Sequence, residues 1–198
     1  MRKASFGELQ NSIIDKILAV LRYNQIKKYI LSDQVVVDLG CGYQADFIRH
    51  LLTKEKILKA IGVDWRINQA KPITGLELIQ ADLNKAVRLP NNSADLIMAT
   101  AVIEHLEQPI IIIKEMHRIL KAKGIAIITS PSPVAKQILE ILAYKLKIID
   151  EQEIRDHKKY YTKKELADIF IKAGFRREKI KIKGFLLGLN NLVISEKS

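Results

Sequence analysis

The sequence predicts an α/β protein in which buried parallel strands alternate with helices. The first observation is the run at residues 35–39, three valines followed by Asp and Leu, which has the composition of a buried parallel strand. Two glycines, Gly40 and Gly42, follow at once and permit a tight turn into a helix. Further strand-like runs alternate with helical patterns as far as Ser130. This order predicts repeated strand–helix–strand units.

The composition limits the class of protein. A chain of 198 residues, 48% of them hydrophobic, can bury one sizeable core, so we expect a single domain. No apolar run approaches the roughly 20 residues needed to cross a bilayer, and the N-terminus lacks the apolar core of a signal peptide. We therefore expect no membrane partner and a cytoplasmic location. The single cysteine, Cys41, excludes an internal disulfide framework and a cysteine-based zinc site, and we interpret it as a small residue that fits the glycine turn.

The N-terminal half contains two predicted helices and three further strands. Residues 8–31 carry apolar residues at helical spacing without Gly or Pro, which predicts a helix packed beside the sheet. Residues 43–53 present apolar side chains to the core and complete the first strand–helix unit. Three short apolar runs predict the next strands, at residues 59–64, 76–82 and 94–100.

The next segment contains two helices and a strand. Residues 109–120 form a helical pattern, and the basic residues and glycine of 121–124 are typical of a helix C-terminus. Residues 125–130 form the fifth predicted strand. An amphipathic helix over residues 134–149 and a loop over 150–161 are interpreted as a cap over the site.

The C-terminal part is basic. Thr162 and Glu165 have the spacing of a capping box and open a further helix. Two strand-like segments follow within residues 179–194. The net charge of +11 raises a nucleic-acid hypothesis, but the dense basic run at residues 176–183 alternates Lys with Ile. That alternation favours an edge strand whose lysines prevent aggregation.

The glycine turn has the properties of a nucleotide site. Residues 40–45 match the relaxed dinucleotide fingerprint, and Asp64 ends the second strand where an acid can accept the ribose hydroxyl protons. Trp65 follows and can lie on an adenine face or serve as a packing residue. Asp82 can accept a hydrogen bond from the adenine amine, and Leu83 offers its backbone N–H to a ring nitrogen.

Asp38 decides between two cofactors. In a dinucleotide site its carboxylate would lie close to the pyrophosphate, where like charges repel. Beside a sulfonium and an ammonium group the same carboxylate is attractive. Asp38 therefore favours S-adenosylmethionine over NAD.

The motifs together resemble a known enzyme family. Residues 38–42, 64, 81–83, 95–97, 104–106 and 117–124 resemble the class I S-adenosylmethionine-dependent methyltransferases, most closely the type 11-like group with Glu-His-Leu after the fourth strand. Residues 156–162 and 172–175 are similar to the C-terminal half of that group. The resemblance implies a Rossmann-like three-layer α/β/α sandwich. Its sheet would be seven-stranded and mostly parallel, with the last strand antiparallel.

The resemblance also implies roles for single residues. Gly40 and Gly42 would line the methionine portion, and Asp38 would bind its amino group through water. Carbonyl groups near Thr100 would receive the ammonium group. Gln44 stands where the family often has a third glycine, and its side chain would narrow the pocket or move the turn. The predicted cofactor-binding set is Asp38, Gly40, Cys41, Gly42, Asp64, Trp65, Asp82, Leu83 and Thr100.

Methyl transfer from a sulfonium requires alignment and exclusion of water more than catalytic side chains. For a hydroxyl acceptor a base would help, and His105 and His157 are the candidates because both lie on segments expected at the ligand edge. His105 could instead fix its loop. Glu104 could orient His105, contact the methionine amino group, or be a solvated loop acid. No metal site is predicted.

Two aromatic residues after His157 have two possible roles. Tyr160 and Tyr161 could form part of the substrate wall, or they could pack at the hinge of the cap.

The acceptor is predicted by elimination. The stretch at residues 99–102, Ala-Thr-Ala-Val, lacks the Asn/Asp-Pro-Pro-aromatic segment of adenine N6 methyltransferases. Cytosine C5 chemistry needs a nucleophilic cysteine, and the one present lies in the cofactor turn. These absences favour a small-molecule acceptor. Two alternatives stay open: an RNA or protein methyltransferase that uses the basic C-terminal surface, and a non-catalytic S-adenosylmethionine-binding protein.

The expected organisation of the domain, residues 1–198, follows from these assignments. It comprises an N-terminal helix (1–31), a cofactor-binding half (32–130), a cap or substrate segment (131–161) and a C-terminal helix with strands (162–198).

Overall fold

Seven strands form one sheet in the computed structural model, which describes residues 13–69, 73–147, 149 and 151–198. The strands are β1 (Val35–Leu39), β2 (Lys59–Asp64), β3 (Leu76–Gln80), β4 (Ala94–Thr100), β5 (Leu120–Pro131), β6 (Ile180–Phe185) and β7 (Asn190–Glu196). Their order across the sheet is β3-β2-β1-β4-β5-β7-β6. Strands β1 to β5 are parallel, and β7 runs antiparallel to both β5 and β6. The predicted mostly parallel sheet with an antiparallel last strand is confirmed.

Helices cover both faces of this sheet. They are α1 (Ile13–Ile26), α2 (Asp46–Lys54), α3 (Pro109–Ile119), α4 (Ala135–Glu140), α5 (Glu151–Arg155) and α6 (Lys163–Lys172). Alternate residues of β1 enter two separate cores. Val37 belongs to the core shared with α3 and α6, whereas Val36 belongs to the core shared with α1 and α2. This arrangement confirms the three-layer sandwich. None of the described helices has the length and apolar composition needed to cross a bilayer.

The junction between α3 and β5 differs from the prediction. The helix ends at Ile119, and Leu120 already pairs with Ala94 of β4, before a register shift in the β4–β5 ladder. Lys121 then forms an ion pair with Asp95, with a nitrogen–oxygen distance of 2.9 Å. The basic residues and glycine at 121–124 are therefore part of a strand, because cross-strand pairing overrides the helix-ending pattern.

Further boundaries were also predicted wrongly. Helix α2 begins at Asp46 and not at residue 43, so the turn between β1 and α2 is longer than predicted. The third strand ends at Gln80, because the Asp82 side chain accepts a hydrogen bond from the Asn84 N–H and forms a turn. The predicted helix over 134–149 is shorter: α4 passes into a π-helical turn at Ile141–Lys145, and α5 lies inside the predicted loop.

The elements of the C-terminal part agree with the prediction. Thr162 Oγ1 accepts a hydrogen bond from the Glu165 N–H at 3.2 Å, and the Glu165 carboxylate accepts one from the Thr162 N–H at 2.9 Å. This capping box opens α6. Strand β6 lies at the edge of the sheet, with Lys181 and Lys183 exposed and the isoleucines packed inward. The predicted N-terminal helix over residues 8–31 is too long at its C-terminal end: α1 ends at Ile26, Lys27–Tyr29 form a 3-10 turn, and Ile30 is already extended. Residues 8–12 lie outside the described residues.

Candidate active site

A cleft of about 1180 Å³ opens at the carboxyl ends of β1, β2 and β4. The order of strands along the chain reverses between β1 and β4, and ligands of open α/β sheets bind at such switch points. Sites for a single drug-sized molecule have volumes of about 300–1,000 Å³. This cleft therefore has room for a nucleotide-sized cofactor and part of a second molecule.

The glycine turn after β1 forms the floor of the cleft. Gly40 has a φ of +82°, and an added Cβ would lie 2.3 Å from Cγ2 of Val102. Gly42 has a φ of 76°, and its N–H donates to Oδ2 of Asp64 at 2.9 Å. Left-handed backbone and close packing thus require glycine at position 40. The turn brings the Gly42 N–H against the acid that ends β2.

Two buried carboxyl groups lie beside this turn. Asp38 is 2% exposed and Asp64 is 5% exposed, and both line the cleft. Burial, together with the nearby charge of Asp64, raises the pKa of Asp38 to about 7. Oδ1 of Asp38 has no hydrogen-bond partner among the described residues. A cation bound here would favour the ionised form of Asp38, so this end of the cleft suits a positively charged ligand.

The remaining predicted cofactor residues line the same cleft. Trp65 is half-buried, and its indole N–H has no hydrogen-bond partner among the residues that the structure describes. Asp82 is exposed, and hydrogen bonds from Asn84 lower its pKa. Leu83 is buried and Thr100 is half-buried at the cleft wall. The structure thus brings together all nine residues of the predicted cofactor set.

Cys41 and Gln44 complete the turn. Cys41 is buried, its thiol donates to the Gly42 carbonyl at 3.6 Å, and burial raises its pKa far above the ordinary value. Such a thiol is not a nucleophile, which agrees with its interpretation as a small residue in the turn. Oε1 of Gln44 accepts a hydrogen bond from Nδ2 of Asn68, with a distance of 3.2 Å between the two atoms. The left-handed residue is the next one, Ala45, with a φ of 53°, so the turn forms without a glycine at position 44.

A second group of polar residues lies at the other side of the cleft. The imidazole rings of His105 and His157 lie edge to face, with centroids 4.7 Å apart. Glu104 is 1% exposed, so the interpretation as a solvated loop acid is wrong. Nδ1 of His157 lies 2.9 Å from the hydroxyl oxygen of Tyr160. Of these four residues, His105 lines the cleft directly.

The two tyrosines have different environments. Tyr161 is 4% exposed, belongs to the core shared with α3 and α6, and its carbonyl accepts a hydrogen bond from Asn191 at 2.8 Å. It packs rather than lining the cleft. Burial, with smaller contributions from Glu140, Glu104 and Tyr144, raises the pKa of Tyr160 to about 12. Its hydroxyl stays protonated at neutral pH.

Some lining residues were not predicted from the sequence. Tyr23 of α1 and His50 of α2 line the cleft and contact each other edge to face, with centroids 5.6 Å apart. Arg155, Asp156 and Lys158 line it from the segment after α4. Helical periodicity shows that these helices pack on the sheet, but it does not show which residues reach the cleft.

Residues 7–180 match the family model for a methyltransferase domain. The chain belongs to the methyltransferase domain family. This membership confirms the predicted enzyme class, and the resemblance to class I methyltransferases is confirmed with it. No curated protein matches the sequence.

Solved structures share the fold of this methyltransferase. An S-adenosylmethionine-dependent methyltransferase from Archaeoglobus fulgidus has 19% identity and a TM-score of 0.69, with 92% of this chain and 94% of that chain covered. An S-adenosylmethionine-dependent methyltransferase from Mesorhizobium loti has 17% identity and a TM-score of 0.68, with 89% of this chain and 97% of that chain covered. Phosphoethanolamine N-methyltransferase 2 from Haemonchus contortus, in complex with S-adenosyl-L-methionine, has 14% identity and a TM-score of 0.68. The match covers 89% of this chain and 52% of that chain. S-adenosylmethionine, the predicted cofactor, is thus named in the descriptions of all three structures.

Proposed function

We propose that this methyltransferase binds S-adenosylmethionine at the glycine turn and transfers its methyl group to a small molecule held in the same cleft. The observation that carries the proposal is the pair of buried acids, Asp38 and Asp64, beside a turn with a left-handed glycine. A cationic sulfonium and ammonium group would compensate the buried charge. The ribose hydroxyls would replace the Gly42 N–H as a partner of Asp64.

The adenine end of the cofactor would lie toward the exposed side of the cleft. Asp82, Leu83 and Trp65 line the cleft, and together they would offer the ring a polar edge and an aromatic face. The methionine end would then point past Gly40 toward Thr100. That direction places the reactive methyl group on the side of His105.

The acceptor would lie between the cofactor and the segment that follows α4. Arg155, Asp156 and Lys158 supply charged groups at this wall, and His105 lines it from the loop after β4. We propose His105 and His157 as the catalytic residues that act on the acceptor. The segment at residues 131–161 would select the acceptor.

The position of the basic edge strand favours a small molecule over RNA or protein. The cleft opens between β1 and β4, whereas β6, with Lys181 and Lys183, lies at the far edge of the sheet, beyond β5 and β7. Lys183 is also hydrogen-bonded to Gln25 at 2.7 Å, and Lys179 is ion-paired with Glu196 at 2.5 Å. The alternating lysines therefore do not surround the cleft.

The acceptor class can be tested with S-adenosylmethionine that carries a radioactive methyl group. A cell extract is separated by ultrafiltration into small molecules and macromolecules, and each fraction is incubated with enzyme and labelled cofactor. We expect transfer of label to compounds in the small-molecule fraction. Asp64→Ala serves as the inactive control. Label found in the retained fraction and released by ribonuclease or protease would contradict the small-molecule proposal, and cofactor binding without transfer to either fraction would favour a non-catalytic protein.

A further inference from the structure

Three side chains of types that commonly serve as metal ligands lie close together beside the cleft. The ligand atoms of Glu104, His105 and His157 all lie within 4.8 Å of one another. A metal ion about 2.0–2.2 Å from each nitrogen or oxygen ligand holds those atoms within roughly 4.4 Å. Small side-chain rotations would therefore bring the three groups onto one ion.

The backbone fixes these side chains on two segments that are distant in sequence. Ile103–His105 forms a 3-10 turn after β4, and the His105 N–H donates to the Val102 carbonyl at 3.0 Å. The Lys158 N–H donates to the Glu104 carbonyl at 2.8 Å, which attaches the segment that carries His157 to this turn. The cluster is thus assembled by main-chain hydrogen bonds, independently of any ion.

Charge also suits a cation at this place. Glu104 is 1% exposed, and a carboxylate in such low-dielectric surroundings attracts a positive ion more strongly than one in water does. An ion bound by the two imidazoles would therefore also be attracted by the Glu104 carboxylate.

The orientation of His157 agrees with that of a metal ligand. Its Nδ1 lies 2.9 Å from the Tyr160 hydroxyl oxygen. Metal-binding histidines usually use one ring nitrogen for the metal and the other for a hydrogen bond that fixes the ring. Tyr160 supplies that hydrogen bond, and Nε2 carries the lone pair when Nδ1 holds the proton.

We propose that Glu104, His105 and His157 bind a divalent transition-metal ion, and that this ion binds the hydroxyl oxygen of the methyl acceptor. Two imidazoles and one carboxylate are a donor set that suits Zn²⁺ and related ions better than Mg²⁺ or Ca²⁺. Three protein ligands leave at least one coordination position, and His105 places the site at the cleft wall. The inference rests on the proposed function and assigns the acceptor to the hydroxyl compounds.

The ion would change the methyl-transfer step as follows. Coordination lowers the pKa of the acceptor hydroxyl, which releases its proton to water. The resulting oxygen anion attacks the methyl carbon and forms the new O–C bond. The C–S bond breaks, and its electron pair neutralises the sulfonium to give a thioether. In this scheme the histidines are metal ligands, so neither acts as the base.

Zinc titration by calorimetry tests the site. Tag-free protein is treated with a chelator, dialysed and titrated with ZnCl₂, because Zn²⁺ binds such sites more tightly than Mn²⁺ or Fe²⁺. We expect one ion per chain. His157→Ala and Glu104→Gln should each weaken binding by about 100-fold or more, beyond the roughly 10–100-fold typical of outer-shell partners. His117 lies on α3, and its imidazole packs against Phe175. The control variant His117→Gln should keep wild-type zinc affinity.

Titration of the same samples with S-adenosylmethionine separates the two proposals and reports folding. We expect His105→Ala and His157→Ala to keep cofactor affinity while they lose zinc binding and the rate of methyl transfer. Wild-type protein that binds S-adenosylmethionine but not zinc would overturn the metal site and leave the proposed function standing, as would cluster variants with unchanged zinc affinity. Zinc binding without S-adenosylmethionine binding would instead contradict the proposed function.

Discussion

Replacing Asp38 by asparagine is expected to raise the melting temperature of the cofactor-free protein at about pH 8. The pKa of Asp38 is about 7 in the folded chain, against an ordinary value of 3.8. Between these two values the folded state keeps a proton that the unfolded state has lost, so the contribution of Asp38 to stability falls as pH rises through this window. Above about pH 7 the folded protein carries the full cost of a buried charge. Asparagine avoids that cost.

The gain should reach about 4 kcal/mol at most, which corresponds to a rise in melting temperature of at most roughly 8–16 °C for a chain of this size. It should be near zero at about pH 4, grow with pH and level off above about pH 7. Asp168→Asn, on α6 and among the described residues outside the cleft, is the matched control for the Asp-to-Asn replacement itself. A stabilisation that is independent of pH, or that shrinks as pH rises, would contradict the account.

The same variant should lose cofactor affinity. In the proposed complex the ionised Asp38 carboxylate attracts the ammonium and sulfonium groups, and asparagine removes that attraction. We expect affinity for S-adenosylmethionine to fall by about 100-fold, the magnitude typical of a buried charged contact. For the wild-type protein, affinity should rise with pH up to about pH 7, because binding must displace the proton from Asp38.

Gly40→Ala is expected to destabilise the protein strongly and to impair cofactor binding. Its φ of +82° strains any residue with a Cβ, and the new atom would lie 2.3 Å from Cγ2 of Val102. The strain costs about 1–2 kcal/mol and the overlap about 1–3 kcal/mol more. Thermal and urea denaturation, followed by titration with S-adenosylmethionine, measure both effects.

Two further variants separate strain from overlap. Gly188 has a φ of +85°, but nothing lies within 4 Å of an added Cβ. Gly188→Ala should therefore show the conformational cost alone. Adding Val102→Ala to Gly40→Ala removes Cγ2 and leaves Val102 Cβ at 3.4 Å. The stability lost when Gly40→Ala is added to Val102→Ala should therefore be smaller than the loss in the wild-type protein, and the difference measures the cost of the overlap. If Gly40→Ala is no less stable than Gly188→Ala, the tight turn does not have the packing described.

Local sequence patterns predicted the elements whose determinants are close in the chain. The capping box at Thr162 and the bounds of β1, β2 and β4 depend on neighbouring residues, and the structure has them as predicted. The positions of Asp38 and Asp64 followed from one rule, that the carboxyl ends of adjacent parallel strands lie together. Most of the residues that line the cleft around the glycine turn could therefore be predicted.

Long-range contacts decided what the sequence did not predict. Leu120 continues a helical pattern, yet pairing with Ala94 places it in β5. His105 and His157 were each a candidate, but no local signal showed that a hydrogen bond between Lys158 and Glu104 brings them together.

The most direct test of the central claim is a calorimetric titration of the wild-type protein with S-adenosylmethionine near pH 8, with Asp64→Ala as the matched variant. Asp64 forms no part of the metal cluster, so this measurement is independent of zinc. One-to-one binding that Asp64→Ala weakens by about 100-fold is the predicted result. Absence of binding to the wild-type protein at millimolar cofactor would contradict the account.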